Sequence, residues 1–176
     1  MNTNPGKEPT EAELRRRLAV LEQRIVDAGG TLGGTRVLAV TKTFPASVAR
    51  LAAGVGLLEL GENYGQELLQ KAPELSDLPV SWHFIGALQR NKVKKIAPFV
   101  SVWQTVDRIE LAAEIAKRAP EAAVLVQVNT TDEAQKSGCA PAHAAELVDR
   151  CRDLGLGVLG LMTIGPTDGS SPGPAF

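Results

Sequence analysis

The sequence predicts an α/β fold of repeated βα units around a parallel sheet, with a barrel favoured over an open sheet. Three observations predict it. Short apolar runs alternate with helical patterns six times at close spacing. The first of these runs is apolar on both of its alternating faces, as in strands covered by helices. Its end carries a lysine, Lys42, and the second run ends in polar residues as well, the pattern expected where strands deliver side chains to a site.

Thr10 and Glu13 have capping-box spacing, and Leu14, Leu18, Leu21 and Ile25 recur at helical intervals until Gly29-Gly30. This predicts an amphipathic first helix, with Arg15, Arg16 and Arg17 on its solvated face rather than on a nucleic acid. Residues 37–42 form the first strand. Leu38, Val40 and Lys42 share one of its faces, and Val37, Ala39 and Thr41 share the other. A lysine partly withdrawn from water at such an end has a lowered pKa and presents a neutral amine to carbonyls, which is the chemistry of a Schiff base. The competing reading is a lysine that snorkels to solvent, and the strand pattern alone does not overturn it.

Pro45 opens a helix through Val48, Leu51 and Ala52 that closes near Gly54 or Gly56. Residues 57–61 give a second strand ending in Gly61-Glu62-Asn63-Tyr64. Residues 64–71 are helical in pattern and stop at Pro73. A third strand spans residues 80–85, and the basic segment 89–96 follows as a helix. Its Arg90, Lys92, Lys94 and Lys95 have no interleaved aromatic residues, so a solvated face is the stronger reading over RNA phosphates.

Residues 100–106 give a fourth strand. Asp107 and Glu110 have cap spacing before a helix over 109–119. Residues 123–129 form a fifth strand, 130–138 a polar loop, and 142–154 a helix carrying His143 on its surface. A sixth strand covers 158–164, with Met162 near its end. From Gly165 onward the chain is too rich in Gly and Pro for a helix or a central strand. A closed eight-stranded barrel needs at least about 200 residues, so either the barrel is incomplete or the architecture differs.

The chain's 176 residues suffice for one domain with a sizeable core, and 44% hydrophobic with 22% charged residues argue against wholesale disorder. The formal net charge of -1 gives no global reason to expect nucleic acid as a partner. The polar first ten residues carry no signal-like apolar core, and no run is long enough to cross a bilayer. Cys139 and Cys151 have neither metal-ligand spacing nor the density of a disulfide scaffold. A cytoplasmic location is expected.

Six stretches occur in register: Ala39-Val40-Thr41-Lys42-Thr43, Gly61-Glu62-Asn63-Tyr64, Trp82-His83-Phe84-Ile85-Gly86-Ala87-Leu88-Gln89 with Asn91-Lys92, Thr105-Val106-Asp107-Arg108, Lys136-Ser137-Gly138 and Gly160-Leu161-Met162-Thr163. Together they resemble the pyridoxal phosphate homeostasis protein family (YggS/PROSC-like), from the first helix to Ile164. The resemblance implies the (β/α)8 TIM-barrel type of the alanine racemase N-terminal domain, PLP fold type III, incomplete here with about six βα units. It implies pyridoxal 5'-phosphate held as an internal aldimine on Lys42, with Asn63, His83 and Met162 lining the pocket. For His83, next to apolar Trp82 and Phe84, a buried structural histidine is the alternative. Asp107 and Arg108 match the family too, though a helix cap suffices to explain Asp107. Gly86 and Gly138 serve backbone geometry in loops.

The resemblance further implies a non-catalytic carrier that binds, protects and hands on the aldehyde, with PLP-dependent apoenzymes as partners. Two other readings compete. One is a racemase-like enzyme using the same cofactor as an electron sink, with Tyr64 the only tyrosine available as a second base and not assigned that role. The other is a barrel fragment that binds no cofactor. Domain organisation is expected as a disordered tail over 1–9, a partial binding barrel over 10–164 and a flexible tail over 165–176. Family members continue with a helix and two strands whose loops grip the cofactor phosphate. The chain is therefore expected to be a fragment of a longer reading frame or a truncated paralogue with weakened binding, monomeric if complete, and its two exposed sheet edges invite association.

Overall fold

The computed structural model describes residues 8–131, 133 and 136–166. Six strands form one sheet in the order of the chain, each parallel to the next: β1 (Ala39–Val40), β2 (Glu59–Glu62), β3 (Ser81–Phe84), β4 (Val100–Val106), β5 (Ala123–Gln127) and β6 (Gly157–Met162). Helices α1 (Glu11–Asp27), α2 (Ala46–Gly54), α3 (Gly65–Glu74), α4 (Arg90–Ile96), α5 (Ile109–Arg118) and α6 (Ala144–Asp153) alternate with them. Parallel neighbours joined in sequence order need crossovers of one hand, which stack every connecting helix on the same side. This is the winding of a (β/α) barrel. β1 and β6 remain its two edges, and the barrel is not closed.

The core lies between the sheet's outer face and these helices. Leu60, Phe84, Trp103, Val124 and Val126 from the strands meet Leu68, Leu75, Ile96, Leu111, Ile115 and Cys151 in one buried cluster. The Phe84 and Trp103 rings, neighbours in register, stand 6.5 Å apart in a tilted arrangement. Burial pushes the Cys151 thiol up to about 11, leaving it an inert core residue.

The inner face is another matter. Val40 is 43% exposed, and Leu159 on edge strand β6 is 59% exposed. The expectation of a first strand covered on both sides is thus corrected: Val40 is open, and β1 pairs with β2 over two residues.

Local chemistry explains most boundaries. The Thr10–Glu13 capping box forms, yet α1 has no fully buried residue and leans on α2. α3 runs through Pro73 to Glu74 rather than stopping before it. Pro73 lacks the N–H for one intrahelical hydrogen bond, and the helix ends one residue later. Asp107 does not cap α5: Arg108 occupies the cap position, its side chain makes no capping hydrogen bond to the helix, and it ion-pairs with Asp107 at 2.5 Å. His143 is exposed, as expected, at the end of a 3-10 turn (Pro141–His143) that precedes α6. Most of the two expected tails lies outside the described residues; Glu8 accepts a hydrogen bond from Ser47 Oγ, and the Gly165 carbonyl accepts one from Lys136 Nζ.

Candidate functional site

Strand alternation sets the site. The positions that put Leu60, Phe84 and Trp103 in the core put Val40, Gly61, His83 and Val102 side by side on the inner face. Met162 lies in register with Gln127 at the β6 edge of that face. Lys42 follows β1, at the end of the sheet where parallel strands deliver their site residues. His83 and Met162 therefore share one face, while Lys42 stands in the turn after β1 and Asn63 just past β2. No hydrogen bond links the four among the described residues.

Lys42 is exposed rather than withdrawn from water, and its amine has no partner among the described residues. What is buried is the support beneath it. Thr41 Oγ1 donates to Glu62 Oε1 at 2.6 Å. Lys71 Nζ, on the core side of α3, donates to the Thr41 carbonyl at 2.8 Å, to Glu62 Oε1 at 2.7 Å and to Glu67 Oε2 at 2.7 Å. Glu67 Oε2 in turn accepts from the Thr43 N–H at 2.8 Å. Thr43 sits at φ 66°, a conformation that a β-branched residue adopts only when its surroundings impose it. The residues on both sides of Lys42 are thus clamped by one ionic cluster. Burial works against the Glu67 charge, but the Lys71 ammonium and the Thr43 N–H outweigh it and hold the carboxyl below its usual range.

The sequence reading missed this cluster. A signal for it exists: Lys71 falls among Leu68, Ala72 and Leu75 on the apolar face of its helix, and Glu62 ends an apolar strand.

His83 is 6% exposed, and its Nδ1 accepts from Gln104 Nε2 at 2.7 Å. Burial depresses its imidazole below the ordinary value, the Glu59 carboxylate opposing this and the Arg36 guanidinium adding to it. The unfolded chain then binds more protons than the folded one as pH falls through the ordinary histidine range. Stability is full above about pH 6.5 and declines below it. His83→Gln is expected to flatten that decline between about pH 7 and pH 5.5, as read by urea midpoints; parallel profiles would contradict it.

Two loops complete this end of the sheet. Lys136 Nζ reaches Thr131 Oγ1 at 3.0 Å, Glu133 Oε1 at 2.5 Å and the Gly165 carbonyl at 2.7 Å, tying the segment after β5 to the one after β6. Gly138, at φ 126°, lets that segment pass the Asn129 backbone, where a Cβ would come within 2.5 Å of the Asn129 nitrogen.

Residues 12–174 match the family model described as alanine racemase, N-terminal domain. A pyridoxal phosphate homeostasis protein of Pseudomonas aeruginosa is 44% identical over 133 residues, which are 73% of this chain and 58% of that protein. The Aquifex aeolicus protein of the same name is 40% identical over 158 residues, 87% of this chain and 69% of its own length. The chain thus spans from over half to about two thirds of these relatives. The solved structure of PipY from Synechococcus elongatus PCC7942 with PLP bound superposes with a TM-score of 0.67 at 30% identity, covering 84% of this chain and 71% of that one. With the six-stranded parallel winding, these matches establish that the chain belongs to the alanine racemase N-terminal domain family, among its pyridoxal phosphate homeostasis proteins.

Proposed function

We propose that the chain binds pyridoxal 5'-phosphate covalently through Lys42 and acts as a carrier of this cofactor in the cytoplasm, without a reaction of its own on a substrate. The observation that carries this reading is a free amine on a rigidly held backbone. Lys42 has no competing partner among the described residues, while Thr41 and Thr43 on either side are fixed by the Glu62–Lys71–Glu67 cluster. The PLP-bound PipY structure supports it through the shared fold and family.

The residues present fit such a group. Lys42 would hold the cofactor covalently, its neutral amine being the group that condenses with an aldehyde to a C=N bond, both amine hydrogens leaving with the aldehyde oxygen as water. Neutral His83 and Met162 offer an uncharged wall to an aromatic ring. Gln127 Oε1 is buried without a hydrogen-bond partner near Met162, which leaves an acceptor to be satisfied. The unit that does this is residues 10–164, and the partners it implies are apoenzymes that take up the cofactor. When bound, the cofactor supplies an electron sink for amino-acid chemistry, but racemisation needs an acid/base on both faces of the substrate. Tyr64, the only tyrosine, is instead 53% exposed at the start of α3 and lines a separate cleft.

The test is visible absorbance of the purified chain with added pyridoxal 5'-phosphate. A band from bound cofactor is expected for the natural sequence and none for Lys42→Ala, with both folded by circular dichroism. A band that survives Lys42→Ala would overturn the attachment. Exchange of the alanine α-proton with solvent, catalysed by the natural chain, would overturn the carrier reading in favour of the racemase-like one.

A further inference from the structure

Four of the six stretches that carry the family resemblance meet in a second hollow, away from Lys42. Tyr64, Lys92, Asp107 with Arg108, and Ser137 each come from a different one of them, and together they line a cleft of about 580 Å³ between the start of α3, helix α4 and the segment after β4. The volume lies within the range of small-molecule sites. Lys42, His83 and Met162 do not reach it, and Asn63 is the one candidate site residue in its wall.

Its charges do not balance. Arg108 is engaged, donating to Asp107 Oδ1 at 2.5 Å and to the Leu88 carbonyl at 2.8 Å, which neutralises the cleft's one carboxylate. Lys92 and Lys95, three residues apart on α4 and so on one face of it, have no ion-pair partner among the described residues. Lysines on a helix surface would ordinarily need no ligand. Here they stand over an apolar floor of Leu69, Leu88 and Ile96, with the Tyr64 ring at the lip. Two free cations, an apolar floor and an aromatic side chain are the complement of a small molecule with one anionic and one flat apolar end.

We propose that this cleft binds a small aromatic monophosphate, its phosphate on Lys92 and Lys95 and its ring against Tyr64 and the floor. The site is separate from Lys42 and forms no covalent bond.

The probe is pyridoxine 5'-phosphate, which has no aldehyde and so cannot attach to lysine. It is titrated by calorimetry into the full chain carrying Lys42→Ala, which removes the covalent attachment point of the other site. Saturable binding is expected, at least tenfold weaker after adding Lys92→Ala and Lys95→Ala, and regained with Lys92→Arg and Lys95→Arg. Inorganic phosphate should bind at least tenfold more weakly than the ester. The proposal is overturned by absence of binding to the Lys42→Ala chain, by binding that ignores the two lysines, or by inorganic phosphate binding as well as the ester. Both lysines are exposed, so folding should survive; if the combined variant fails to unfold cooperatively, Lys92→Gln alone replaces it and should still weaken binding. A negative result leaves the Lys42 absorbance test untouched, so the two readings fail separately.

Discussion

Lys71→Met is expected to destabilise the fold by about 3–5 kcal/mol, the usual cost of removing one partner from a buried ion pair. Lys71 is 6% exposed at its side chain and Glu62 is not exposed at all. Without the ammonium, Glu62 Oε1 keeps only the Thr41 hydroxyl, and Glu62 Oε2 is already buried without a partner. The carboxylate must then take up a proton or drag water into the layer between α3 and the sheet. Glu67, 24% exposed, turns to solvent at little cost, so Glu67→Gln should lose far less. Glu62→Leu combined with Lys71→Met should recover most of the loss, because an apolar pair of similar volume leaves no charge behind. Urea denaturation of the four proteins measures this directly. A single Lys71→Met variant as stable as the natural chain would show that the pair is hydrated. The double variant also separates stability from positioning: it should fold well yet carry a loosened Thr41-Lys42-Thr43 segment, so its colour with added cofactor should weaken while its midpoint does not.

The parallel winding was legible in the sequence because each strand is a short apolar run and each helix a periodic one, and these patterns survive whatever the partners are. Val100–Val106 begins and ends where its pattern does, and the Thr10–Glu13 cap forms as its spacing requires. Edges are different. Nothing in residues 37–42 shows how far the pairing with β2 runs or that the inner face is open, so the pattern predicts six strand residues where the ladder holds two. Asp107 illustrates a local competition: cap spacing with Glu110 is right, but the adjacent Arg108 guanidinium takes the carboxylate first. Lys42 is singled out by its position at a strand end together with the family resemblance, while the cluster that clamps its neighbours was not legible, because Thr41, Glu62, Glu67 and Lys71 are ordinary residues far apart in the chain. The cleft at Lys92 and Lys95 hid for the same reason, its walls being drawn from stretches as far apart as Asn63 and Ser137.

Gly86→Ala should cost roughly 3 kcal/mol, at the upper end of what an added methyl does in a packed site. A Cβ there would lie 2.0 Å from the Asn63 carbonyl oxygen and 2.7 Å from its carbon, so the obstacle is backbone and cannot swing aside as a side chain would. The loop cannot retreat either. The Gly86 carbonyl accepts from Thr105 Oγ1 at 2.6 Å on one side, and the Ile85 N–H donates to the Glu62 carbonyl at 3.0 Å on the other. Relief must come from moving Asn63, which pulls on Glu62 and the clamp on one side and on the cleft wall on the other. Gly54→Ala is the control: a Cβ at that helical position meets nothing within 4 Å, so it should be neutral or gain up to about 1 kcal/mol. Thermal or urea unfolding of both variants decides the point. Equal stability for the two would mean that the Gly86 and Asn63 backbones are free to part, and the close approach on which the geometry of both sites depends would be lost.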